Sequence, residues 1–131
     1  MPYDPKAVTE DDRSFAYRML SLGLPSSLLL LASMQFEALS LFTVLCGGYV
    51  CGVFIAMAWS FSHDEFVREQ LFFASSWALS FAGLALFVQI VPYGRDFDHD
   101  AGVILALMAV IFHAALAWRR WRDGEFAGGS V

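Results

Sequence analysis

The sequence predicts an all-α membrane protein: a bundle of four transmembrane helices built from two antiparallel hairpins. Of its 131 residues, 58% are hydrophobic and 16% are charged, whereas soluble domains carry about 25% charged residues. Segments 38–62 and 70–94 contain no charged residue. At about 1.5 Å per residue each is about 37 Å long, enough to cross a hydrocarbon core of about 30 Å. The predicted spans are about 15–36, 38–62, 70–92 and 101–118.

These spans occupy the chain as a single transmembrane domain. Residues 1–14 are predicted to form an interfacial segment, and residues 119–131 a polar tail. Lys and Arg concentrate on the cytoplasmic side of membrane proteins. Arg95 lies on one side of the predicted bundle, and the other side holds Lys6, Arg13, Arg18, Arg68, Arg119, Arg120 and Arg122. Both termini are therefore predicted to be cytoplasmic, and we expect the bacterial inner (cytoplasmic) membrane as the location.

Small residues recur at helical spacing on two of the predicted spans. Gly48 and Gly52 form a G-xxx-G pair that Ala56 extends, and small residues at this spacing let two helices approach closely. The third span carries a face of alanines that ends in Gln89. The helix-packing residues predicted from these patterns are Gly48, Gly52, Ala56, Ala74, Ala78, Ala82 and Gln89.

The connections between the spans carry the signals expected at helix ends. Only residues 35–37 separate the first two spans, which predicts a tight antiparallel hairpin. Pro25 is expected to kink the first span. A capping box, Ser62-x-x-Glu65, precedes the third span. Asp98 and Asp100 lie where acids stabilise the N-terminus of the fourth helix.

His113 is an ionisable residue well inside a predicted span, and such residues are functional hypotheses by default. It lies four residues after Ala109 and precedes the aromatic and basic segment WRRW at 118–121. This pattern resembles the pigment helix of purple-bacterial light-harvesting polypeptides. There an A-x-x-x-H element lets bacteriochlorophyll lie against the small residue while the imidazole binds magnesium. The resemblance implies that His113 is a cofactor ligand. The alternative is a neutral histidine hydrogen-bonded to a neighbouring helix, with Gln89 as the partner.

Other kinds of site are not expected. A six-coordinate haem needs two histidines at one depth, and His63 and His99 both lie at span ends. The two cysteines, Cys46 and Cys51, are about 140° apart on a helix, so we expect buried small side chains and no disulfide. The acidic connector is interpreted as a solvated helix cap and not as a metal site; its residues are Asp96, Asp98, His99 and Asp100, with Glu37 nearby.

The sequence also contains no catalytic motif and no basic stripe suited to nucleic acid. The favoured interpretation is a non-catalytic accessory or structural subunit without a cofactor, whose partners are the lipid bilayer and other transmembrane helices in a hetero-complex or homo-oligomer. One alternative is a small homo-oligomeric channel or transporter, since pores can select through dipoles alone. The other is a pigment- or haem-binding membrane protein that uses His113.

Overall fold

A computed structural model describes residues 10–59, 65–91 and 100–124 of the chain. This part of the chain is all-helical, as predicted, with four α-helices and no strand. A short 3-10 turn, Glu37–Leu39, follows the first helix. The helices are α1 (Glu10–Gln35), α2 (Ser40–Trp59), α3 (Glu65–Ile90) and α4 (Ala101–Arg122).

Three stretches are long and apolar enough to cross a membrane: Glu37–Met57, Val67–Ile90 and Ala101–Arg122. This confirms the prediction of transmembrane helices by length and composition. Helix α1 is 26 residues long but more polar, because it contains Arg18, Pro25 and several serines. A fourth span through α1 therefore stays a prediction.

The ends of the helices differ from the predicted spans because charged residues extend them. Helix α1 begins at Glu10, and α4 continues to Arg122 instead of ending at 118. Acids at a helix N-terminus and arginines at a C-terminus both interact favourably with the helix dipole. Helix α2 begins at Ser40, since Glu37–Leu39 forms the 3-10 turn. The predicted capping serine, Ser62, lies outside the described residues.

Helices α1 and α2 form the predicted antiparallel hairpin. Near the turn, the Thr43 hydroxyl donates to Ser33 Oγ at 2.8 Å. Further from the turn, the Tyr49 hydroxyl donates to the Met19 carbonyl at 2.7 Å. The hydrogen-bonded partners are 10 residues apart in sequence near the turn and 30 residues apart further from it. The two helices therefore run antiparallel.

Helix α4 packs against both α1 and α3. Along α1, the contacts run from the Arg120 guanidinium over the Tyr17 ring (4.1 Å) through His113 against Gly23. Along α3, α4 places its apolar side chains against a small-residue face. The cluster of buried residues at this contact also includes one residue each of α1 and α2. Its members are Leu20, Val53, Ala74, Ala78, Phe112 and Leu116. A second cluster, nearer the N-terminus of α4, contains Leu30, Cys46, Val50, Ala106 and Ala109.

Asp100 caps α4 as predicted. Its carboxylate accepts a hydrogen bond from the Gly102 backbone N–H at 3.0 Å, which satisfies one of the orphan donors at the helix N-terminus. Asp98 lies outside the described residues.

Replacing Asp100 with alanine is expected to lower the free energy of unfolding by about 1 kcal/mol, because the cap bond is lost. Asp100→Asn is the matched control, since asparagine caps about as well as aspartate. Denaturant titration of both variants in detergent measures the difference. An equal loss in the two variants would show that the carboxylate charge matters and the cap bond does not.

Candidate functional site

His113 lies in the core of the bundle, on the side of α4 that faces α1. Its side chain is only 2% exposed. Nδ1 is 2.8 Å from the carbonyl oxygen of Ala109, one turn earlier on the same helix. A carbonyl can only accept, so Nδ1 carries the proton and donates. In the neutral ring this leaves Nε2 as a lone-pair acceptor.

Gly23 of α1 occupies the space in front of His113. A Cβ built on Gly23 would overlap Nε2 and Cδ2 of the imidazole and lie 2.9 Å from Cε1. The glycine is therefore required here for close approach, and its backbone forms the wall that the ring contacts. Phe54 of α2 stacks on the imidazole, with ring centroids 6.2 Å apart and an interplanar angle of 29°. His113 thus joins three helices.

Nε2 of His113 is buried and has no hydrogen-bond partner in the described part of the chain. The predicted hydrogen bond to Gln89 is therefore wrong. Glu69 of α3 lies beside Arg119 of α4, so in this antiparallel pair the residues of α3 level with His113 are close to Ala74. Gln89 is about four turns further along α3, at a different depth.

The same geometry determines whether His113 can bind a tetrapyrrole. The A-x-x-x-H element is present, but here the carbonyl of Ala109 holds Nδ1. Nε2, the nitrogen left to bind magnesium or iron, points at the backbone of Gly23. A macrocycle on that nitrogen would have to separate α1 from α4, so the packed bundle does not fit this group.

Arg119 holds the basic end of the bundle together. Its guanidinium pairs with Glu69 of α3 at 3.2 Å and with Asp123 at 3.0 Å, and it lies 5.4 Å from the centroid of the Phe73 ring. The side chain is 21% exposed, so these contacts are partly shielded from solvent. With Arg120 over Tyr17, the end of α4 is fixed to both of its neighbours.

The predicted packing residues fall into two groups. On α3, Ala74 and Ala78 are buried against α4, and Ala82 and Gln89 are half-buried. On α2, the G-xxx-G pair and Ala56 are exposed. Among the residues that the structure describes, a Cβ on either glycine would meet nothing within 4 Å. The bundle itself therefore makes no use of this pair.

The surface around the G-xxx-G pair, the α2 outer face, is broad and apolar. It consists of Leu41, Val44, Leu45, Gly48, Gly52 and Ile55. Leu41 is 73% exposed and Val44 is 76% exposed. Cys51 lies at its edge and is also exposed, contrary to the expectation that both cysteines are buried, whereas Cys46 is buried; both thiols are free.

Two contributions were not predicted from the sequence. Gly23 is one of several small residues in the first span, and nothing along the chain pairs it with His113. Gln70, 2% exposed, lies at the edge of a predicted span, where a polar residue gives no sign of burial. In the described part of the chain, no group of three His, Cys, Asp or Glu side chains could hold a metal ion. Asp96, Asp98 and His99 lie outside it.

No family model, no curated protein and no solved structure matches this chain. Its class is therefore defined by the fold itself: an all-helical chain in which three helices have the length and composition of membrane spans. Within that class, the two features most relevant to function are the buried His113 and the α2 outer face.

Proposed function

We propose that this protein is a non-catalytic, four-span integral membrane protein of the bacterial inner membrane, with cytoplasmic termini, that acts by packing against another transmembrane helix. The partner is a further copy of the chain or a subunit of a larger complex. The observation that carries the proposal is the α2 outer face, where Gly48 and Gly52 lie open to the surroundings of the bundle.

Two glycines in the middle of a helix are unfavourable unless something approaches them. Each costs about 0.5–1 kcal/mol relative to alanine, and in the described part of the chain no other group lies within 4 Å of where a Cβ of Gly48 or Gly52 would be. In a membrane, where the hydrophobic effect does not drive association, helices associate by close packing at such small residues. A partner helix on the α2 outer face would supply the missing contacts.

Replacing Gly52 with leucine tests the proposal. The larger side chain is expected to weaken association by about 5- to 150-fold, since overpacking costs about 1–3 kcal/mol. Native mass spectrometry of the protein extracted in mild detergent should then report a single chain of 14.6 kDa where the wild type reports a larger assembly. The bundle itself should remain folded, because the added atoms extend into open space.

Gly83→Leu is the matched control, since Gly83 of α3 is equally open to its surroundings. It should leave the assembly intact. Equal dissociation in both variants, or a monomeric wild type, would contradict the proposal. Cys51, at the edge of the same face, distinguishes the partners: a short bifunctional thiol reagent should link two copies through Cys51 only in a homo-oligomer.

A second candidate, a homo-oligomeric channel or transporter, is favoured by a small polar stripe on the outside of α3. The hydroxyls of Ser76 and Ser80 are exposed and donate to the carbonyls of Phe72 and Ser76 at 2.8 and 2.7 Å. With Gly83 they would provide a lining of weak dipoles in a ring of copies. Ion or solute flux into liposomes above that of empty vesicles would support this candidate, and a lack of flux would remove it.

A further inference from the structure

A shallow apolar groove of about 410 Å³ runs between α3 and α4 on the outer surface of the bundle. Aromatic rings form its walls, and two alanines of α4 leave the space between them. Phe73 and Trp77 pack edge to face with centroids 6.5 Å apart. The lining residues are Phe73, Trp77, Ile111, Ala114, Ala115 and Trp118.

One end of the groove opens at the basic end of the bundle. Trp118, which lines the groove, contacts Trp121 edge to face at 5.4 Å, and paired tryptophans of this kind lie at the level of the headgroups in a membrane. Arg122 follows Trp118 by four residues, so it lies on the same side of α4, one turn closer to the end.

Arg122 and Arg119 differ in their ion pairs. Arg119 is committed to Glu69 and Asp123. Arg122 is exposed, and no ion pair joins it to another residue of the described part of the chain. A guanidinium is a strong and directional ligand for phosphate. The groove therefore combines an apolar channel with an exposed cation at its interfacial end.

We propose that this groove binds an anionic phospholipid, with an acyl chain along the aromatic walls and the phosphate at Arg122. The apolar lining of the groove suits an acyl chain, and the exposed guanidinium at its interfacial end complements the negative charge of a lipid phosphate. The site lies on α3 and α4, away from the α2 outer face, and is independent of the function proposed above.

The test uses the full chain in detergent, titrated with phosphatidylglycerol or phosphatidylcholine whose acyl chains carry bromine, which quenches nearby tryptophans. Trp77 and Trp118 line the groove and report its occupancy. We expect phosphatidylglycerol to quench at about fivefold lower concentration than phosphatidylcholine, the factor expected for one basic side chain near an anionic headgroup.

Two variants locate the effect. Arg122→Gln should remove the fivefold preference, and Ala114→Phe should fill the groove and weaken quenching by both lipids. Arg18→Gln is the matched control, since Arg18 is also exposed at the basic end of the bundle, and it should keep the preference. Circular dichroism confirms that each variant is helical.

Other outcomes would overturn the proposal. An equal loss of preference in Arg122→Gln and Arg18→Gln would assign it to the general charge of the basic end. Unchanged quenching in Ala114→Phe would place the lipid elsewhere. A wild-type protein in which neither lipid quenches Trp77 and Trp118 would show that the groove does not bind a phospholipid.

Discussion

Replacing Gly23 with alanine is expected to lower the free energy of unfolding by about 1–3 kcal/mol, the usual cost of overpacking. The new methyl group would overlap Nε2 and Cδ2 of His113. To escape, the ring would have to give up its bond to Ala109 and its stacking on Phe54, or α1 would have to move away from α4. Denaturant unfolding in detergent, followed by tryptophan fluorescence, measures the change.

The direction of the change in stability is informative, because the higher helix propensity of alanine would by itself stabilise the variant. Alanine is favoured over glycine inside a helix by about 1 kcal/mol. The control Gly83→Ala, at a position open to its surroundings, should therefore be neutral or slightly stabilising. A stabilising Gly23→Ala would show that the imidazole does not lie against α1.

A double-mutant cycle identifies the partner. In a His113→Ala background the methyl group of Gly23→Ala has no ring to meet, so its cost should fall by most of the 1–3 kcal/mol. If the two losses add instead, the strain comes from some other contact of α1. The cycle also separates this packing role from any ligand role of His113, which would not couple to Gly23 in this way.

Replacing Ala74 with leucine is the second change with a large expected effect. Ala74 is fully buried, and its cluster includes Phe112 and Leu116 of α4. Three added carbon atoms have no space there, so α3 would be displaced from α4 at a cost of about 1–3 kcal/mol. The pairing of Arg119 with Glu69, one turn away, should loosen at the same time.

Ser75→Leu is the control for this change, since Ser75 is the next residue along α3 and is exposed. It is expected to change stability by no more than about 0.5 kcal/mol. Equal stabilities of the two variants would contradict the packing of α3 on α4 through its alanines.

The elements of the fold could be predicted from the sequence because they depend on local patterns. Uncharged segments predict the helices, and the short connection at 35–37 predicts the hairpin that Tyr49 and Met19 close. The positions of small residues in the sequence do not show whether they face the interior of the bundle or its surroundings. On α3, Ala74 lies inside, whereas on α2, Gly52 lies outside. Lipid and the protein interior are equally apolar, so composition cannot distinguish the two environments.

The site was predicted only in part for a related reason. His113 is conspicuous in the sequence as an ionisable residue in a span, but its surroundings depend on which helices meet and at what depth. Gln89 is a plausible partner by chemistry, yet it lies at another level of α3. Gly23 has no polar group, so no pattern marks it as the surface that the imidazole contacts.

The packing of α1 against α4 also fixes the order in which the bundle can be completed during biosynthesis. A chain is synthesised from its N-terminus, so the α1–α2 hairpin can form early. The face of α1 that carries Gly23 has no packing partner until α4 has been made. Ser27 lies one turn after Gly23 on the same face of α1 and is fully buried in the finished bundle, so that face stays uncovered until α4 packs against it. The Ser27 hydroxyl donates to the Leu24 carbonyl of the same helix at 2.9 Å. This donor is therefore satisfied even before α4 packs against α1. Insertion of α4 is then the step that converts separate helices into one bundle.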